Sequence, residues 1–289
     1  MLAYRHGFHA GNHADVLKHL VLVQLLHHLN AKDKGWRFVD THAGAGGYSL
    51  AGGFATQRRE FERGIARLVG RPEGSGALPA PVRDYVDVVR RFNGSDRLAS
   101  YPGSPAIALL HRRAQDQLRL YELHPTEHRL LAEHFGHEPG VEVHLGDGFA
   151  GLKATLPPPT RRGLVLIDPP YEIKTDYVKA LAALREALTR FPEGLVMVWL
   201  PQLALVESAQ LPQRLKATAD TLARKGWLHA RLTVAKADER GFGLVGSSVF
   251  VANPPHTLHA ALAPVLPWLA RELAQFDGAK SLLERSAAG

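Results

Sequence analysis

Residues 164–171 read "LVLIDPPY": a short apolar run that delivers a carboxylate into a turn fixed by two prolines, with an aromatic ring directly after. A run this brief and this apolar has the pattern of a strand buried on both faces. The pattern recurs in "WRFVD" (36–40), "LRLYEL" (118–123), "VEVHLGD" (141–147) and "GLVMVWLP" (194–201), mostly with helical stretches between. Buried strands joined by helical crossovers predict an α/β fold, a parallel sheet covered on both faces whose ligands collect at the carboxyl ends of the strands. Ahead of the sheet, "NHADVLKHLVLVQLLHHL" predicts a helix with Asn12 as N-cap and Asp15 facing the free amides of the first turn. "LHARLTVAK" (228–236) and "GSSVFVANPP" (246–255) lie close together with no helix between, which predicts an antiparallel edge pair, then a last helix around 257–276.

The 289 residues, 45% of them hydrophobic, suffice for one large domain or two modest ones. A formal net charge of +7 favours polyanions as partners, although a solvated basic surface gives the same number. With no cysteine, disulfides and thiolate zinc sites are excluded. The opening "MLAYRHGFHAG" lacks the apolar core of a signal peptide, and no run approaches the roughly 18 apolar residues of a membrane helix. These features predict a soluble, cytoplasmic chain with no membrane association.

Residues 52–98 break the alternation. Two amphipathic stretches, "QRREFERGIARLV" and "PVRDYVDVVRRF", flank "GRPEGSGALPAP", which predicts an inserted helical subdomain within a main domain of 1–51 and 99–289. Nine arginines against six acidic residues make the insertion basic, suited either to gripping nucleic acid or to a solvated surface.

The chemistry concentrates at the strand ends. Proline restricts its own backbone and its predecessor, so Asp168-Pro169-Pro170 is a stiff platform holding a carboxylate, a free carbonyl and the Tyr171 ring at set spacing. Such a platform suits an exocyclic amino group. An aromatic amine is a poor nucleophile because its lone pair is delocalised, and two acceptors aimed at its N–H bonds favour the rehybridisation that frees it. The Asp168 carboxylate and Pro169 carbonyl fit the acceptor roles, with Tyr171 stacking on the base. The same residues also fit a plain strand end in which Asp168 caps nearby amides. In "FVDTHAGAGGY" (38–48) a strand runs into a glycine-rich turn where a backbone can approach a ligand closely. Glu122 at the next strand end suits both hydroxyls of a ribose, and Asp147 and Gly148 of "LGDGF" are placed for an adenine edge.

Glycines, a ribose acid and a base-edge acid on three strand ends, with Asp-Pro-Pro-Tyr on the fourth, resemble the S-adenosylmethionine-dependent methyltransferases that act on amino groups. The resemblance narrows with "YRHGFHAGNHADVLKH" (4–19), "DTHAGAG", "YPGSP" (101–105), "ELHP" (122–125), "DGF" (147–149), "RRGLVLIDPPYEIKTDY" (161–177) and "NPP" (253–255). In this order, from residue 4 to 255, they are similar to the bacterial large-subunit (23S) ribosomal RNA adenine-N6 methyltransferase family. The resemblance implies a Rossmann-like class I methyltransferase, with a seven-stranded, mostly parallel sheet and helices on both faces. It implies S-adenosylmethionine as methyl donor, released as S-adenosylhomocysteine, and His19, His42, Ser104, Glu122, Asp147 and Gly148 as its contacts. It makes Asp168 the catalytic residue, beside Pro169 and Tyr171, and Tyr4 a contact to RNA.

On that reading "YRHGFHAG" is an arm that orders over the site, with Arg5 and Lys18 as phosphate contacts and His6 stacking or hydrogen-bonding to RNA. A metal site at His6, His9 and His13 has the spacing but no completing acids or cysteine, so no metal is expected. "NPPH" (253–256), the sister of Asp-Pro-Pro-Tyr, follows an edge strand here and is read as structural; the tail after residue 277 matches nothing. The expected partner is large-subunit ribosomal RNA, protein-free or in an early precursor, and the expected state is a monomer. Two alternatives stand: a DNA adenine-N6 methyltransferase, for which about 47 inserted residues offer little recognition surface, and a catalytically silent RNA-binding assembly factor.

Overall fold

The computed structural model describes residues 6–52, 54–71, 76–239 and 243–286. Helix α1 (His13–Asn30) leads into strands β1 (Arg37–Asp40) and β2 (Gly47–Ser49), then α2 (Phe54–Arg58), α3 (Ile65–Val69), α4 (Ala80–Asn93) and β3 (Ser100–Pro102). The alternating part follows: α5 (Ser104–His111), β4 (Gln117–Glu122), α6 (Pro125–Phe135), β5 (Val141–Leu145), α7 (Gly148–Thr155), β6 (Gly163–Ile167), α8 (Lys174–Arg190) and β7 (Leu195–Gln202). Last come α9 (Val206–Leu222), β8 (Trp227–Thr233), β9 (Gly246–Ala252), α10 (Leu258–Glu272) and β10 (Lys280–Arg285).

The sheet order is β10-β8-β9-β7-β6-β1-β4-β5, and β2 pairs with β3 in a separate two-stranded ribbon. Strands β5, β4, β1, β6 and β7 pair in parallel. Each is short and apolar because helices close both faces: β6 is buried at all five positions. One face packs under α1, α4, α5 and α10; the other packs under α8 and α9 through Val165, Ile167, Ala180, Leu184 and Leu188.

Two expectations are corrected. The sheet has eight strands rather than seven, because residues 280–285 of the unmatched tail pair antiparallel with β8. A half-exposed strand with charged ends carries no buried-run signal, and only its partner makes it a strand. Nor are β8 and β9 an edge pair: β9 is inserted between β7 and β8, antiparallel to both, with all seven residues buried. The edge position falls to β10.

Asn12 caps helix α1 as its sequence predicts, its side chain accepting from the amides of Ala14 and Asp15 at 2.9 and 3.0 Å, whereas the Asp15 carboxylate turns from the first-turn amides to accept from the Gly11 amide at 2.9 Å. It is buried almost all round, since β9, α5 and α4 pack against it. Within the inserted stretch, Val82, Tyr85, Val86, Val88 and Val89 of α4 join the same apolar core as α1. At roughly 1.5–3 kcal/mol for each large apolar side chain fully buried, this ties α4 firmly to the body. Arg67 adds a second tie by donating to the carbonyls of Glu272 and Ala274, both at 3.0 Å.

Candidate active site

β1 hands the chain to β4 on one side, while β6 lies on its other side, so the loops after β1 and β6 part company and leave a crevice. Thr41 closes its floor, donating from its backbone amide and from Oγ1 to the Leu166 carbonyl at 3.1 and 3.0 Å. Above lies a cavity of about 540 Å³. His6, Lys18, His19, His42, Ser104, Glu122, Asp147, Asp168 and Pro169 all line it, although they span more than 160 positions of sequence.

Asp168 is the centre of this arrangement. Its Oδ2 accepts from Lys18 Nζ at 2.6 Å, and the same ammonium meets Asp15 Oδ1 at 2.9 Å. Lys18, expected to contact phosphate, is only 4% exposed, and two carboxylates compensate its charge from within. Burial works against its ammonium, but Asp15 and Asp168 outweigh that and raise its pKa. For Asp15, burial is likewise outweighed by His6 and Lys18, which hold its carboxyl well below the usual range. His6 spends its ring nitrogen on Asp15 Oδ2 at 2.8 Å, and His9 meets Glu60 at 2.9 Å. Among the described residues no group of three or more His, Asp or Glu side chains is arranged to hold a metal.

On the β1 side, Glu122 accepts from the Gly44 amide at 2.8 Å through one oxygen and from the His124 amide at 2.7 Å through the other. Gly44 has φ +60, and a Cβ there would lie 2.2 Å from the Tyr48 hydroxyl, which is why glycine occupies the turn. His42 packs edge-on against Phe149 at 4.7 Å, and burial drops its pKa to about 4, leaving a neutral imidazole. His19 receives or donates at Nδ1 with the Tyr101 hydroxyl at 2.7 Å, while its buried Nε2 has no partner within the protein. Burial and the neighbouring Lys18 hold this ring neutral too.

Residues 33–284 match the family described as ribosomal RNA large subunit methyltransferase D, RlmJ. The chain belongs to this family. It is 44% identical to ribosomal RNA large subunit methyltransferase J of Escherichia coli, with 94% of each chain covered. The Haemophilus influenzae protein of the same name is 40% identical, again over 94% of each. A crystal structure of a Legionella pneumophila protein superposes with a TM-score of 0.85 at 32% identity, covering 96% of this chain and 99% of that one.

Not every residue singled out in this RlmJ-family sequence reaches the cavity. Tyr171 does not: it is 4% exposed, its φ is +53, and its hydroxyl donates to the Trp199 carbonyl at 2.7 Å. The aromatic side chains that do line the cavity are Tyr48, Phe149 and Trp199, the last of them on β7. Gly148 packs instead of lining: a Cβ there would fall 2.1 Å from the Thr41 carbonyl, so its bareness lets α7 approach the end of β1. Tyr4 and Arg5 lie outside the described residues.

Three residues were missed. Asp15 was read only as an acid at the start of its helix, and Trp199 carries no motif of its own. Asp40, the acid ending "WRFVD" as Asp168 ends "LVLID", was open to the same reasoning. It is wholly buried, accepts from Ser104 Oγ at 2.6 Å and from the His42 amide at 3.2 Å, and burial pushes its carboxyl up to about 7.

Proposed function

We propose that this chain transfers the methyl group of S-adenosylmethionine to the N6 amino group of an adenine in large-subunit (23S) ribosomal RNA. The observation that carries the reading is the Asp168 carboxylate, held by Lys18 in the wall of a cavity shared with Pro169, His19 and Glu122. Family membership supports the substrate class.

The cavity suits the methyl donor. Glu122 has both oxygens aligned by backbone amides and retains lone pairs for a ribose diol. The unpartnered Nε2 of His19 is a buried polar atom that a ligand would satisfy. With these, His42, Ser104 and Asp147 line the donor side. Gly148 supports them from behind. S-adenosylmethionine supplies the methyl group and leaves as S-adenosylhomocysteine; no metal is needed.

The protein's own contribution is to hold and polarise the amine. Lys18 takes Asp168 Oδ2, so Oδ1 remains to accept an amino hydrogen, with the Pro169 carbonyl as the second acceptor. Trp199 offers a ring face to the base, and Tyr171 braces it from below. Holding the reactants in near-attack geometry can supply effective molarities on the order of 10⁵ M or more. The adenine has to leave its stack first, at a cost of a few kcal/mol that is least in unpaired RNA. Tyr4 and His6 contact that RNA, and 52–98 serves as the inserted helical subdomain. The working form is a cytoplasmic monomer acting on protein-free or early precursor RNA, without membrane association.

The test is transfer of labelled methyl to protein-free 23S RNA from cells lacking the enzyme, with Asp168→Ala beside wild type. N6-methyladenosine forms with wild type and is lost with the variant. Methylation of DNA alone, or of nothing, would defeat the substrate assignment.

A further inference from the structure

At the opposite end of the sheet lies a second cleft, of about 940 Å³, beside Gly163, Leu195 and Trp227, where β6, β7 and β8 begin. Along β6 this is five residues from Asp168, or roughly 16 Å at the rise of a strand. Its walls carry Lys32, Arg161, Arg162, Arg224, Lys225 and Arg285 against only two carboxylates, Glu193 and Asp220. Of the cations, Lys32, Arg161, Arg224, Lys225 and Arg285 are exposed. No ion pair described in the protein involves any of the six, and Asp220 already accepts from the Trp227 indole at 2.6 Å.

The cleft is built rather than incidental. Asn253, of the motif read as structural, is 2% exposed with φ +56. Its side chain accepts from the Lys225 amide and donates to the carbonyls of Pro192 and Gly194, each at 2.8 Å, so it clamps three loops of the rim. The eighth strand adds another clamp: Ser286 exchanges hydrogen bonds with the backbone of Trp227 at 3.0 and 3.1 Å, next to Arg285. Arg161 is a second non-glycine residue in the left-handed region, at φ +49. Strained positions of this sort persist where the surroundings over-determine them. The crowding of charge is felt by His28, whose pKa is lowered by burial and then by Arg162, Lys225, His256 and Lys32.

We propose that this rear cleft binds the phosphate backbone of the ribosomal RNA substrate at a distance from the target adenine, so that the RNA wraps from one end of the sheet to the other. This rests on the substrate class proposed above. Arg162 is half-buried and donates to the carbonyls of Leu29 and Lys34, but the other five cations come from separate segments and stay solvated, which suits a row of backbone phosphates better than one small anion. Compensating them would release counterions and make binding steeply salt-dependent.

The experiment compares wild type with the combined Lys32→Gln, Arg224→Gln, Lys225→Gln, Arg285→Gln variant. The probes are a protein-free 23S RNA fragment of several hundred nucleotides and the shortest fragment the wild type methylates; S-adenosylmethionine affinity and the melting curve control for folding. The variant should bind the long fragment at least about tenfold more weakly, with a log–log salt slope reduced by roughly two or more. The short fragment should bind both proteins alike. Should the combined variant fail to fold, Arg224→Glu with Lys225→Glu carries the test, with an equal or larger loss expected. Equal long-fragment affinity and slope in wild type and variant would overturn the inference. So would unchanged RNA binding together with loss of poly-glutamate binding, which would assign the cleft to an acidic protein. If wild type methylates no ribosomal RNA, the proposed function fails, while the long-fragment affinity and salt slope still decide the cleft.

Discussion

At the carboxyl ends of β1 and β6, Lys18 stands between Asp15 and Asp168 with its charge compensated inside the protein. At the amino ends of β6, β7 and β8, five exposed cations line a cleft with two carboxylates for company. The two ends of one sheet thus handle charge in opposite ways. Buried charges are costly unless paired, and once paired they hold side chains to fixed positions, which is what a reacting centre requires. Exposed charges cost little and pair with whatever polyanion arrives. The difference separates positioning from attraction.

The strongest way to break the comparison is at Asp168. Asp168→Asn keeps the shape but removes the charge, and methyl transfer should fall by about 10³-fold or more, while salt-dependent binding of long RNA stays near wild type. A comparable loss in both readouts would mean the two ends do not divide the work.

Next comes Lys18→Met. It leaves two carboxylates at the crevice without their shared cation, so denaturant unfolding should show a loss of about 3 kcal/mol, with reduced methylation. If stability is unchanged and only RNA affinity drops, Lys18 belongs with the cleft cations in kind.

Asp40 sharpens the contrast through pH. Its folded pKa of about 7 lies above the unfolded value, so the native state holds a proton that the unfolded chain has released. Its contribution to stability is present below pH 4 and is lost as pH rises toward 7, by up to about 4 kcal/mol. Urea midpoints between pH 5 and 8 should therefore fall less steeply in Asp40→Asn than in wild type. Parallel curves would show that Asp40 titrates normally.

The smallest effect is expected at Tyr171→Phe, which removes the hydrogen bond to the Trp199 carbonyl. A stability loss of about 1 kcal/mol with the RNA KM within roughly twofold fits a brace beneath the site. A KM change of tenfold or more would return Tyr171 to direct contact with the base.

Much of this was legible in the linear chain. Apolar runs ending in Asp40, Glu122, Asp147 and Asp168 announced parallel strands with their chemistry at one end, because a strand covered on both faces can hold polar groups only where it stops. Asn12 as N-cap followed from local hydrogen bonding alone. The rest depended on partners distant in sequence. Lys18 reads in the sequence as a phosphate contact, and only the fold sets Asp168 beside it, 150 positions away. Tyr171 sits in the most telling motif of the chain, yet its left-handed backbone turns the ring into the core. The strand at 280–285 exists only because β8 offers it an edge, and the rear cleft only because separate loops converge on Asn253. Period and capping are local properties, so most of the elements and the kind of chemistry can be read along the chain. Charge compensation, ring orientation and edge pairing are relations between segments far apart in the chain, and they arise only when folding brings those segments together.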